Sequence, residues 1–163
     1  MAIKLELIPT SQRPVLERMF QLYLHDMSEF LGWSVGADGM FALPDGLLPP
    51  YWDNTDHWPY FAYSDDNLIG FSLVRVAPNA KGTLDMGQFF VTRAFQGKGL
   101  GKELFRQTVA AHPGKWQVRV LVQNIAAQAF WRVTIEDIAR STVQVSDEPY
   151  GEHEMTYYRF EAG

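Results

Sequence analysis

The sequence contains no cysteine, so neither a disulfide nor a thiolate metal site holds the fold together. It has no hydrophobic run of membrane-spanning length, and Met1-Ala2-Ile3-Lys4 lacks the apolar core of a signal peptide; a cytoplasmic protein without membrane association is expected. The histidines His25, His57, His112 and His153 are scattered without ligand spacing, and no metal is expected. His112 reads as a helix C-terminal cation favoured by the dipole, and His25 as a surface residue. Basic residues are outnumbered, 14 against 19, and form no continuous stripe, which argues against nucleic acid. What remains is ordinary globular composition: 47% hydrophobic and 20% charged over 163 residues, enough for one domain spanning 1–163 with its own core.

Charge is unevenly spread. Residues 1–80 hold four basic and ten acidic groups, residues 81–132 eight basic and two acidic, and residues 133–163 two basic and seven acidic. The basic block suits an anionic ligand. The acidic N-terminal half, with Asp26, Glu29, Asp53 and Asp56, suggests a cationic acceptor.

Ile3, Leu5 and Leu7 alternate with polar residues and predict a first strand over 3–9. Thr10-Ser11 offers a cap and Pro14 a first-turn proline for an amphipathic helix reaching about Phe30. Residues 31–57 are irregular and aromatic-rich, a loop long enough to be functional, whose rings either line an acceptor pocket or pack over the core. Pro59–Ser64 and Leu68–Val76 read as a hairpin about Asp65-Asp66-Asn67, followed by a turn at 78–82 and a strand over 84–91. A helix over 98–111 stops at His112-Pro113-Gly114, and a strand follows over 115–122. Asn124 caps a short helix to about Val133, and Thr142–Ser146 with Glu154–Glu161 close the chain as a hairpin. The order β-α-β-β-β-α-β-α-β-β predicts an α/β (α+β) fold with a single mixed, mostly antiparallel sheet flanked by helices.

The chain is organised around residues 84–105, where a strand runs through Gln96-Gly97-Lys98-Gly99-Leu100-Gly101 into a helix. A glycine turn at a helix start aims unpaired N–H groups outward and is a site for phosphate or pyrophosphate. A P-loop is excluded, because ending its pattern at Gly101-Lys102 puts Gln96 and Glu103 where glycine and Ser or Thr are needed. A dinucleotide fingerprint is excluded too, because Lys102 stands where its last glycine belongs and the preceding strands form a meander.

Gln96-x-x-Gly99-x-Gly101 instead resembles the acetyl-CoA signature of the GNAT superfamily of N-acetyltransferases. Val91 lies five residues before Gln96, where that family's fourth strand ends, and Asn124-Ile125-Ala126-Ala127-Gln128-Ala129-Phe130-Trp131 is similar to its second motif, Asn-x-x-Ala-x-x-Phe-Tyr. The element order also matches over nearly the whole chain. The resemblance implies the GNAT fold and acetyl-CoA as cosubstrate, held by Phe89, Phe90, Val91, Gln96, Gly97, Lys98, Gly99, Leu100, Gly101, Lys102, Asn124 and Trp131. It implies direct attack by a primary amine on the thioester in a ternary complex, with no acyl-enzyme. The partner is then a small-molecule or peptide amine, a homodimer being left open.

The catalytic positions depart from the family's pattern. Trp131 replaces the usual proton-donating Tyr, and an indole N–H has no usable acidity. Arg119 stands where some relatives carry a base Glu on the fifth strand. Asp85 resembles the fourth-strand Glu of the histone-modifying branch, and simple alternation puts it on the face of Phe89 and Val91, with Gln88 opposite. It is the candidate base. Of Tyr150, Tyr157 and Tyr158 in the last hairpin, Tyr157 is the candidate replacement donor. The missing titrating groups leave one alternative, a non-catalytic acyl-CoA-binding sensor with the same fold.

Overall fold

A computed structural model describes residues 2–163. The alternation at the start builds β1 (Ile3–Leu7), which ends before Pro9. A single 3-10 turn at Thr10–Gln12 leads into α1 (Arg13–Leu31). Neither Thr10 nor Ser11 caps it with a side chain; Pro14 presets the first turn instead, and Gly32 closes the helix with a left-handed φ of 70°. Leu16, Met19, Phe20 and Leu24 form its buried stripe.

The long loop contains a one-turn helix, α2 (Pro50–Asp53), with Tyr51 buried and the Trp52 indole donating to the Ile8 carbonyl (2.9 Å). Packing over the core therefore holds for these two rings, whereas Trp33 is 44% exposed. The meander is β2 (His57–Ser64), β3 (Asn67–Val76) and β4 (Thr83–Val91). Next come α3 (Leu100–Ala111), β5 (Gly114–Leu121), α4 (Ile125–Ile138), β6 (Gln144–Tyr150) and β7 (His153–Ala162). α3 starts at Leu100 rather than at 98 because Gly97 and Gly99 take left-handed φ values of 74° and 79°. α4 runs past Val133 because Thr134 and Ile135 continue its buried stripe.

The sheet has the order β1-β2-β3-β4-β5-β7-β6, and only the β4–β5 pairing is parallel. α3 and α4 cover one face, where Phe105, Val109, Trp131 and Ile135 meet Val74, Met86, Trp116 and Val118. α1 and the α2 loop cover the other, where Phe20, Leu24, Leu48 and Tyr51 meet Phe61, Phe71, Leu73 and Phe90.

Two irregularities of β4 create the site. β4 and β5 pair only at Thr83–Asp85 with Lys115–Gln117, then diverge, leaving facing edges at 86–91 and 118–121 unpaired with each other. A bulge also interrupts β4 at Gly87, since Leu73 pairs with Gln88 while Val74 pairs with Met86. The extra residue reverses the alternation. Asp85 falls on the α1 face together with Gln88 and Phe90, while Phe89 packs on the α3 face. The face expected for Asp85, and the opposite face expected for Gln88, are both corrected by this single bulge.

Candidate active site

The wedge between β4 and β5 is the centre of the candidate site. At its open end Gln96 Nε2 donates to the Val91 carbonyl (2.7 Å), tying the glycine turn to the strand. The first helical bond of α3 runs from Glu103 N–H to the Gly99 carbonyl (3.1 Å), so the amides from Leu100 to Lys102 have no helical partner. Lys98 is exposed beside them, its ammonium 5.5 Å from the Phe95 ring centre. Gly101 is needed for contact rather than φ: a Cβ there would lie 3.2 Å from the Phe130 ring. Lys102 pairs with Asp137 (2.6 Å), which also receives Arg106 (3.4 Å), so part of the basic block fastens α3 to α4. Arg93 likewise pairs with Asp26 (2.8 Å).

Across the wedge, Asn124 Oδ1 accepts from the Ala127 amide (3.1 Å) and caps α4. Trp131 is buried edge-on against Phe89 and Phe105, both at 4.9 Å. Its ring is a wall of the core, as the loss of the Tyr hydroxyl allows.

At the closed end lies Asp85, with no exposed surface. Oδ1 accepts from Gln117 Nε2 (3.0 Å) and Arg119 Nε (3.1 Å), and Oδ2 from Arg75 Nε (2.8 Å) and Arg119 Nη2 (2.9 Å). Burial pushes its pKa up, but Arg119 and Arg75 outweigh burial and hold it below the ordinary carboxylate value. Its four acceptor positions are filled, which leaves no lone pair for an incoming proton.

Aromatic hydroxyls surround this cluster. Tyr150 lies under the Arg119 guanidinium (4.2 Å) and its hydroxyl accepts from Arg75 Nη2 (3.3 Å). Tyr157 is buried on β7 opposite Arg119, with Arg159 stacked on it (4.6 Å). Tyr158 points to the other face, donating to Gln128 Oε1 (2.6 Å). Tyr51 reaches in from α2, and its hydroxyl occupies the space a Cβ at Gly87 would need. Burial pushes the Tyr51 hydroxyl far above its usual pKa, and raises that of Tyr157 as well. Tyr23 on α1 is pushed up to about 12 by burial, opposed by Arg119.

Sequence reasoning missed Tyr51 and Arg75. Arg75 carried a signal: Phe71, Leu73 and Arg75 fall on one face of β3, so a charge sits in register with buried rings and needs a buried partner. Tyr51 had only its place in an aromatic loop. The expected acidic acceptor pocket does not assemble. Asp26 is paired with Arg93, Glu29, Asp53 and Asp56 are exposed, and the closed end of the wedge holds two arginines against one carboxylate. His57, the cross-strand neighbour of Arg75, packs edge-on against Tyr51 (4.8 Å) with Nδ1 2.7 Å from Asp56 Oδ1, while His25 lies on the exposed side of α1. His112 is no dipole cation: its ring lies 4.6 Å from Trp58 with Nε2 2.6 Å from the Tyr60 hydroxyl, and burial lowers its pKa. Among the described residues, no group of three or more acidic or histidine side chains could hold a metal. No helix among them is long and apolar enough to cross a membrane.

The Acetyltransferase (GNAT) family matches residues 16–134. No curated protein matches the chain by sequence. Among solved structures, an acetyltransferase from Thermus thermophilus shares 18% identity at a TM-score of 0.66, covering 99% of this chain and 97% of its own. AAC(6')-Ib in complex with ribostamycin and coenzyme A shares 16% at a TM-score of 0.70, covering 99% and 94%. RimL, a ribosomal L7/L12 alpha-N-protein acetyltransferase in complex with coenzyme A, shares 13% at a TM-score of 0.68, covering 99% and 95%.

Proposed function

The chain belongs to the GNAT acetyltransferase family, and from that premise we propose that it moves an acetyl group from acetyl-CoA to a primary amine of a small molecule or peptide. The observation that carries this reading is the wedge. The free edge of Phe89, Phe90 and Val91 offers backbone groups for the pantetheine arm to pair with, like an added strand. That edge leads straight to the amides of Gly97, Lys98, Gly99, Leu100, Gly101 and Lys102, which suit the pyrophosphate. Asn124, at the far lip, has its Nδ2 outside the capping bond and available to the arm.

The amine nitrogen bonds to the thioester carbon and the carbon–sulfur bond breaks. The amine loses a proton, and the departing sulfur gains one. Holding both reactants in the wedge supplies much of the rate. Asp85, the expected base, is better assigned as the anchor of Arg75 and Arg119, and the amine proton goes to solvent. For the sulfur we assign Tyr51, whose hydroxyl, kept neutral by burial, stands over the Gly87 bulge where the strands part and donates a hydrogen bond to the developing thiolate, the completing proton coming from solvent. Tyr157, the donor expected from the sequence, stands beside the neighbouring cavity and is the comparison residue.

Incubation with acetyl-CoA and a panel of amines, following free CoA thiol, tests the reaction. Thiol released only when an amine is present supports it. A thermal upshift with acetyl-CoA but no release with any amine would instead establish a sensor, and no upshift would remove the cofactor assignment.

A further inference from the structure

We propose that the acceptor carries a carboxylate as well as its amine, an amino acid in class, seated with its carboxylate on Arg75 and Arg119. The inference rests on the acetyl-transfer reading and names the substrate of that same site. A cavity of about 230 Å³ opens on the α1 face where β4 and β5 meet, lined by Arg75, Asn79, Gln117, Arg119, Tyr150 and Tyr157. It has room for an amino acid and little more.

Charge comes first. Two guanidiniums share the single carboxylate of Asp85, so the cavity floor keeps one positive charge in excess. Arg159 and Glu148 neutralise each other as a pair, and Asp56, next to the cross-strand neighbour of Arg75, is engaged by His57 (2.7 Å). The bonds to Asp85 and Tyr150 leave Nη1 of both arginines outside them. A partly buried guanidinium with a free N–H edge is a carboxylate receptor. One excess charge on the floor matches the single negative charge of a carboxylate group, with the ligand's ammonium held off the arginines; a phosphomonoester would bring nearly two. A polyamine or aminoglycoside would bring further cations against two arginines.

The second observation is independent of charge. Gln117 is 1% exposed, and its Oε1 is buried with no hydrogen-bond partner. Turning the amide over would aim that oxygen at Asp85, so Nε2 must face the carboxylate and Oε1 must face away. Gln117 thus lines the cavity while its Oε1, just beneath the surface, is an unanswered acceptor, and the two guanidinium edges are free donors. An amino acid answers both: its carboxylate accepts from the arginines, and a small shift of the Gln117 side chain opens Oε1 to its ammonium. A water at Oε1 would leave the guanidinium edges without an anionic partner.

Calorimetric titration of the full chain with each of the twenty standard amino acids, and with the amine left when the carboxyl of each binder is removed, tests the proposal. At least one amino acid should bind at least about tenfold more tightly than its decarboxylated partner, as a hydrogen bond to a charged group predicts. Arg75→Gln, which leaves Asp85 paired with Arg119, should bring that ratio close to one. The proposal is overturned if no amino acid binds, or if the decarboxylated amines bind as well. The parallel thiol assay separates the two readings. Release with amines lacking a carboxylate, without carboxylate-dependent binding, sinks this proposal and keeps the acetyltransferase. Carboxylate-dependent binding without any release keeps the site and sinks the acetyl-transfer reading.

Discussion

Asp85 shows how far one side chain's role depends on its partners. A carboxylate with no exposed surface would ordinarily tend to protonate, yet three side chains give it four hydrogen bonds and it stays ionised. Its folded pKa lies below the unfolded value of 3.8, so the stability it contributes is present above that pH and is lost as pH falls below it. Asp85→Asn leaves two guanidiniums around a neutral amide. Urea denaturation at pH 7 should show a loss of about 3–5 kcal/mol, the cost of breaking a buried ion pair. The pH–rate profile of the surviving activity should keep its wild-type inflections; movement to higher pH would restore Asp85 as the base. Tyr51→Phe asks the complementary question. The ring stays buried, so stability should change by about 1 kcal/mol at most. Turnover should fall roughly 100-fold if the hydroxyl stabilises the leaving sulfur by hydrogen bonding. An unchanged kcat, with a fall in Tyr157→Phe instead, would transfer the role to Tyr157.

Among the elements, β4 carries the most information. Its apolar pattern was readable as a strand, and so was the glycine turn that follows it, because period-two alternation and glycine spacing are local properties. The bulge was not readable, because it arises where β4 must pair with β3 on one side and release β5 on the other. Gly87 was its only trace. Counting alternate residues across that glycine assigned Asp85 to the wrong face. The same locality explains the missed caps of α1: Thr10 and Ser11 are good capping residues, but a 3-10 turn after Pro9 leaves them unused. Gly87→Ala probes the bulge directly. The added Cβ collides with the Tyr51 hydroxyl and comes within 3.2 Å of the Leu73 carbonyl oxygen. A stability loss of about 1–3 kcal/mol is expected from overpacking. Turnover should drop more than binding of acetyl-CoA, because the glycine cradle lies at the other end of the strand; equal losses in both would place the bulge outside the reaction centre.

On the scale of the whole molecule, the proposed cofactor half and the proposed acceptor half of the site differ in how sequence encodes them. The strand–turn–helix run proposed as the cradle is contiguous, from Val91 to Lys102, and was legible as a run of residues. The cavity proposed for the acceptor is assembled from β3, β5, the β6–β7 hairpin and the turn before β4, elements far apart in sequence. Net charge by segment therefore pointed to a cation, while the residues that meet in space form a cationic floor. The wedge joins these halves and is held open by only three residue pairs at its closed end, with cradle and cap at its mouth. A ligand that pairs with both free edges should thus act on global stability, not on one loop. At acetyl-CoA one hundred times its dissociation constant, mass action predicts about 2.7 kcal/mol of stabilisation. For a chain of this size that corresponds to a rise in Tm of roughly 5–10 °C. The same measurement on Gly99→Val should show most of that rise lost. Gly99 has open space around its missing Cβ but a φ of 79°, so the substitution distorts the cradle's backbone without crowding a neighbour. An undiminished rise would mean that the cofactor is bound elsewhere than on this turn.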